Sequence, residues 1–173
     1  MKSSVTYLWI LLTMFVATQS APGADGPSRT AGLDAYWSEV SRAVREGDFE
    51  AYRATCHAEG VLVSGISEKS QPLSEALTRW KPGFEDTQAG TRRAVVKFRF
   101  SRRMGDATTA HETGIFFYST VDPAGKTTSA YIHFEALLKK KNSKWLILME
   151  YQKSNATLKE WNALNGKKQP VAP

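Results

Sequence analysis

Residues 127–153, TTSAYIHFEALLKKKNSKWLILMEYQK, decide the fold of this 173-residue chain. Within SAYIHFEAL the side chains alternate, with Ala130, Ile132, Phe134 and Ala136 on one face and Tyr131, His133 and Glu135 on the other. A period of two marks a strand with one buried face, so the first set is expected inward and the second outward. Asn142-Ser143 breaks the run where two strands need a tight reversal, and KWLILMEYQK then resumes in extended form. Two similar stretches lie upstream, 92–103 and 107–121, parted by Met104-Gly105-Asp106 and followed by the turn Asp122-Pro123-Ala124-Gly125. Consecutive long strands joined by short turns predict an antiparallel meander.

Further upstream the period changes. Leu33, Tyr36, Trp37, Val40 and Val44 recur at helical spacing and predict an amphipathic helix over 33–45, with Asp34 favoured in its first turn. Gly47-Asp48 suits the end of that helix and the N-cap of a second one through about Cys56, with Phe49 and Tyr52 inward. GVLVSGIS (60–67) reads as a short β-branched strand, and Pro72 opens a third helix faced by Leu73, Ala76, Leu77 and Trp80. KPGFEDTQAG (81–90) is expected to be a loop, and Asn155 to cap a last helix carrying Leu158, Trp161 and Leu164 and ending at Gly166. Helices first and a meander afterwards predict the α+β class: a curved antiparallel sheet forming a cone, covered by three N-terminal helices.

The ends of the chain carry different information. Residues 1–21, MKSSVTYLWILLTMFVATQSA, combine a basic start, an apolar stretch from Tyr7 to Ala17 and small residues, which is the layout of a secretory signal peptide. A secreted or periplasmic protein follows, with no integral membrane segment in the mature chain, because the apolar stretch is shorter than a spanning helix requires. Residues 22–32 are expected as a mobile lead-in, 33–154 as the folded domain and 155–173 as a C-terminal helix and tail. The single Cys excludes an intramolecular disulfide or a Cys-rich metal site, and His57, His111 and His133 lack metal-ligand spacing, so no metal is expected. Net charge is +6, concentrated in Arg92-Arg93, Arg102-Arg103 and Lys139-Lys140-Lys141 at strand ends and turns, where charge discourages edge pairing; no nucleic-acid partner is expected.

The helix ending in EGDFEAY, the VLVSG strand, the GDATTAHETG strand opening and the closing NSKWLILMEYQKS, in that order, resemble the nuclear-transport-factor-2-like superfamily, its SnoaL-like branch in particular, over about residues 33–154. The resemblance implies a cone-shaped sheet whose mouth the helices cover, enclosing a pocket that some members use for catalysis and others for binding or dimerisation. Fold alone does not fix function in such a case. The ketosteroid isomerases of the superfamily use a tyrosine on the first helix, a carboxylate at the end of the first strand and an acid before an H-F pair. In this chain those positions hold Val40, Ser64 and Ile132, which supply neither a base nor an oxyanion donor, so that mechanism is rejected.

Aligned with the superfamily, His111, Thr113, Ile115 and Phe117 are expected to face inward, and Leu148, Glu150 and Gln152 to do so on the last strand. His111 and Glu150 are then the candidate catalytic acid-base pair, since desolvation raises a carboxyl pKa. Tyr36, Trp37, Trp80, Ile132, Phe134, Leu148 and Gln152 are the candidate ligand-binding residues. His133 and Glu135 are expected on an outer polar surface or dimer interface, His57 in a solvated turn, and Cys56 as a small buried residue. The function expected is that of an exported, non-catalytic, small-ligand-binding domain with an apolar pocket, needing no cofactor and forming a homodimer through the outer sheet face. The alternative is a cofactor-free lyase, isomerase or hydrolase acting on a small apolar substrate through His111 and Glu150.

Overall fold

A computed structural model describes residues 25–165, so the expected signal peptide and the last eight residues (166–173) lie outside the described residues. The elements run α1 (Asp25–Glu46), α2 (Phe49–Ala54), β1 (Cys56–Ser64), β2 (Lys69–Pro72), α3 (Leu73–Gln88), β3 (Arg93–Gly105), β4 (Thr109–Val121), β5 (Thr127–Lys141), β6 (Lys144–Asn155) and α4 (Leu158–Ala163). One six-stranded sheet has the order β2-β1-β6-β5-β4-β3. The meander β3–β6 pairs antiparallel as expected, and its turns are the expected ones. Asn142 and Ser143 both take positive φ (50° and 63°), the conformation a two-residue hairpin requires. Asp122 accepts from the Lys126 amide at 2.9 Å, and Asp106 caps the other turn through the amides of Thr108 and Thr109.

The sheet is mixed rather than wholly antiparallel, because β1 runs parallel to β6. Everything from β2 to β5 separates these two strands in the chain, ample length for the crossover that parallel neighbours need. The sheet stays open, with β2 and β3 at its edges, and α1, α2 and α3 lie over its concave face. There Leu33, Tyr36, Trp37, Val40 and Val44 of α1 join Leu62, Leu73, Ala94, Val96, Phe134, Ala136, Leu138, Trp145 and Ile147 in one core. α4 lies on the opposite face, where Trp161 packs on Tyr131 and Phe117, and the Arg99 guanidinium stacks on its ring.

Four element boundaries differ from the sequence reading, each for a physical reason. α1 begins at Asp25, so 25–32, expected as a mobile lead-in, is helical; Pro27 sits in the first turn, where a missing N–H is harmless, and Gly32 lets the helix pass against Trp145. β1 begins at Cys56, which places His57 in a strand, its Nδ1 accepting from the Glu59 amide at 3.1 Å. Residues 81–88, expected as a loop, continue α3 through Pro82, because Phe84 packs on Phe49 and Tyr52 with ring centroids 5.7 and 4.9 Å apart. Thr157, rather than Asn155, caps α4, in a reciprocal capping box with Glu160.

Gly47 shows how closely the helices meet. Its φ of +70° ends α1, and a Cβ there would stand 2.3 Å from the Gln88 amide nitrogen and 2.5 Å from the Phe84 carbonyl oxygen. The G-D corner therefore serves two ends, turning the chain and admitting the C-terminal turn of α3.

Candidate functional site

The concave face and its helices enclose a cavity of about 420 Å³. Its walls come from alternate residues of the meander (Ala94, Val96 and Phe98; Phe116 and Tyr118; Ala130, Ile132 and Phe134) and from Val40, Val44, Leu73, Trp80 and Phe84 of the helices. Of the expected ligand-binding residues, Tyr36, Trp37, Trp80, Ile132, Phe134 and Gln152 line it. Leu148 does not. Leu137 pairs with Met149 while Leu138 pairs with Ile147, so Leu148 is the extra residue of a bulge and Ile147 takes the inward position.

Glu150 faces this cavity and His111 does not. On β4 the inward set is Ala110, Glu112, Gly114, Phe116 and Tyr118, one residue out of step with the expected His111, Thr113, Ile115 and Phe117. His111 stands on the outer face, where its Nε2 lies 3.1 Å from Glu135 Oε2, and Lys153 donates to the other oxygen of the same carboxylate at 2.7 Å. The Lys153 hydrogen bond, with further help from His111, holds the Glu135 carboxyl below its usual range. His133 and Glu135 are on the outer side as expected, His133 Nε2 donating to Glu160 of α4 at 3.2 Å. The sheet thus separates His111 from Glu150, and the two cannot share one substrate.

The inward residue that the sequence reading missed is Glu112, 0% exposed. It accepts from Trp37 Nε1 and from Arg103 Nε, and Arg103 also donates to Asp34. This network ties α1 to β3 and β4 and fixes the indole of Trp37 in the cavity wall. Its signal in the sequence was Arg103 and Glu112 at facing positions of one hairpin, legible only once the β3 bulge between Phe100 and Arg102 is known.

The polar end of the cavity is built by Glu150 and Gln152 of β6 with Tyr36, Tyr52, Thr55 and Cys56. Gln152 Nε2 donates to Glu150 Oε1 at 2.7 Å. Burial raises the Glu150 carboxyl above the usual 4.5, a rise that the Gln152 bond only partly opposes. Burial likewise pushes the Tyr36 and Tyr52 phenols well up, so both stay neutral donors, and pushes the Cys56 thiol up to about 12, which removes it as a nucleophile. Between the ordinary pKa of Glu150 and its raised folded value, the folded chain holds a proton that the unfolded chain has lost. The contribution of Glu150 to stability is therefore fully present below pH 4.5 and is lost as pH rises through the folded value. Urea midpoints measured across this range should lose that downward slope in Glu150→Gln; an unchanged slope contradicts a desolvated Glu150.

Among the described residues no group of three or more His, Cys, Asp and Glu could hold a metal ion, and no helix is long and apolar enough to cross a membrane.

No family model matches the sequence, and no curated protein matches it. Solved structures do resemble it. A conserved protein from Planctomyces limnophilus superposes with a TM-score of 0.63 at 9% identity, over 72% of this chain and 94% of that one. An NTF-2-like protein of unknown function from Shewanella oneidensis gives 0.55 at 20% identity, over 71% and 97%. A ketosteroid isomerase-like protein from Erwinia carotovora atroseptica gives 0.53 at 19% identity, over 70% and 92%. Identities this low carry the architecture and nothing finer. With helices over the concave face of a curved meander, a parallel β1–β6 junction and these structural likenesses, the chain has the nuclear-transport-factor-2-like fold.

Proposed function

We propose that this domain binds one small, mostly apolar molecule in the cavity, with a hydrogen-bonding end of that molecule against Glu150 and Gln152. The observation that carries the reading is the cavity itself: about 420 Å³ of mostly aromatic and aliphatic wall with a polar cluster at Glu150 and Gln152. That size and that lining are those of small-molecule sites in general, where apolar walls supply affinity and a few polar groups set orientation. Trp37 and Trp80 both face the space, so their fluorescence is the natural reporter. A panel of small apolar compounds should include members that quench tryptophan emission saturably and raise Tm. Trp80→Ala should weaken such binding about tenfold, as loss of a buried aromatic contact does. A panel in which no compound changes emission or Tm overturns the reading.

A non-catalytic role is favoured because the outward His111 leaves Glu150 without the expected imidazole partner. The catalytic alternative then rests on Glu150, its carboxyl raised by burial, with the neutral phenols of Tyr36 and Tyr52 in a desolvated site. It predicts that Glu150→Gln keeps ligand affinity while abolishing turnover.

Export and a homodimer belong to the same proposal. N-terminal sequencing of protein recovered from the host's envelope or medium should begin near Pro22, and an intact Met1 contradicts export. Sedimentation equilibrium should give twice the chain mass, with the part of the outer sheet face that α4 leaves open as the contact.

A further inference from the structure

The proposed ligand site has a second polar feature, where its lining reaches solvent. Arg79 of α3 and Arg92, just before β3, both line the cavity, beside Thr87 and the half-exposed Tyr118. Neither guanidinium is saturated by the charges around it. Arg79 donates from Nη1 to a neutral amide oxygen, Gln71 Oε1, at 3.2 Å. Arg92 has the Asp86 carboxylate 3.9 Å away, beyond hydrogen-bond reach. The other acid on that turn, Glu85, faces Lys81 at 3.7 Å. Gly83 gives Arg92 its room, since a Cβ there would stand 3.3 Å from Arg92 Nη1. Tyr118 feels the Arg92 charge, which opposes the upward push of burial on its phenol.

We propose, resting on the ligand-binding reading above, that the ligand is an amphipathic carboxylate, its apolar body inside the cavity and its anionic group held at the opening by Arg79 and Arg92. Two guanidiniums with free N–H groups at the rim of an apolar cavity form a planar, charge-assisted site of the kind that carboxylates fit. The aromatic interior between Trp80 and Phe134 selects the body, and the Glu150–Gln152 end accommodates a hydroxyl or carbonyl when the ligand carries one.

The test uses three probes with one apolar body: phenylbutyrate, phenylbutanol and phenylbutylamine, titrated by tryptophan fluorescence and calorimetry into the full-length mature protein. At low ionic strength the acid should bind about tenfold more tightly than the alcohol, with the amine weakest, and added salt should narrow the gap. In the Arg79→Gln/Arg92→Gln double variant the acid should fall to the level of the alcohol, while the alcohol's Kd stays within about threefold of its original value. Both arginines lie toward solvent, and an unchanged Tm confirms that the variant is folded. Acid and alcohol binding equally to the native protein, or a preference that survives the double substitution, overturns this inference and leaves the cavity reading intact. No binding by any of the three, nor by the wider apolar panel, overturns both.

Discussion

Replacing Glu112 by alanine should destabilise the protein by about 3–5 kcal/mol, because the Arg103 side chain, 7% exposed, is then left without its buried counter-charge. Trp37 Nε1 loses its acceptor in the same step, a loss that overlaps with the first rather than adding to it. Asp34 remains as a partner for Arg103, but its side chain is 59% exposed and sits at the rim of the network, where it cannot replace a carboxylate in the core. Against a usual domain stability of about 5–15 kcal/mol this is a large fraction. Urea unfolding monitored by tryptophan fluorescence measures it. Glu112→Gln, which keeps an acceptor for the indole, should lose less. Joint replacement of Arg103 and Glu112 by Met and Leu should recover much of the loss, since two apolar side chains leave no orphaned charge. A loss under about 1 kcal/mol for Glu112→Ala means that the pair is solvated and that the network does not hold Trp37 in place.

The second large effect is expected at Phe134. Its ring is 1% exposed and lies within 5.7–6.2 Å, centroid to centroid, of Trp37, Phe98, Phe100 and Phe116. Phe134→Ala should cost about 3–5 kcal/mol, the sum of lost transfer energy and the void left among rings that cannot close in. The ring also forms part of the wall of the main cavity, so its removal enlarges that space. The variant should therefore bind bulkier apolar compounds than the native protein does, at a lower urea midpoint. A midpoint within about 1 kcal/mol of native contradicts the close packing of this cluster.

These two residues also mark the difference between what the sequence shows and what it hides. Phe134 was legible because SAYIHFEAL alternates cleanly, and Ile132, Phe134 and Ala136 are buried as that pattern requires. Glu112 was hidden because β4 is apolar on both sides: Phe116 faces the cavity, while Ile115 and Phe117 lie on the outer face, which α4 partly covers. When both faces carry apolar groups, alternation gives the strand but not its orientation, and a register off by one exchanged His111 for Glu112. Leu148 was misplaced by a bulge, which no local residue type announces. Pro82 and Gly83 read as a helix end by their own propensities, and the packing of Phe84 on Phe49 and Tyr52 outweighs them. The turn residues, in contrast, act locally. Asn142-Ser143, Asp122 and Asp106 do in the structure what their chemistry dictates, and the amides of Thr108 and Thr109 hold the Asp106 carboxyl down to about 2.

The candidate site divides in the same manner. Glu150 and Gln152 were found because the alignment with the superfamily set them on the inward face of the last strand, and both face the cavity. Arg79 and Arg92 were not found, since an arginine at a helix surface or strand end looks like any solvated charge. The continuation of α3 past Pro82 sets Gly83 against Arg92 Nη1, and both arginines line the cavity.

The central claim, that the cavity is a ligand site with a polar end at Glu150, is most directly tested by a high-resolution crystal structure of residues 22–173 purified from the native host. The account predicts non-protein density among Trp37, Trp80, Ile132 and Phe134, with a polar atom of the bound molecule within hydrogen-bond distance of Glu150 or Gln152. Side chains of α3 collapsed into the space, with Trp80 and Phe84 filling it and Glu150 turned to solvent, would contradict it.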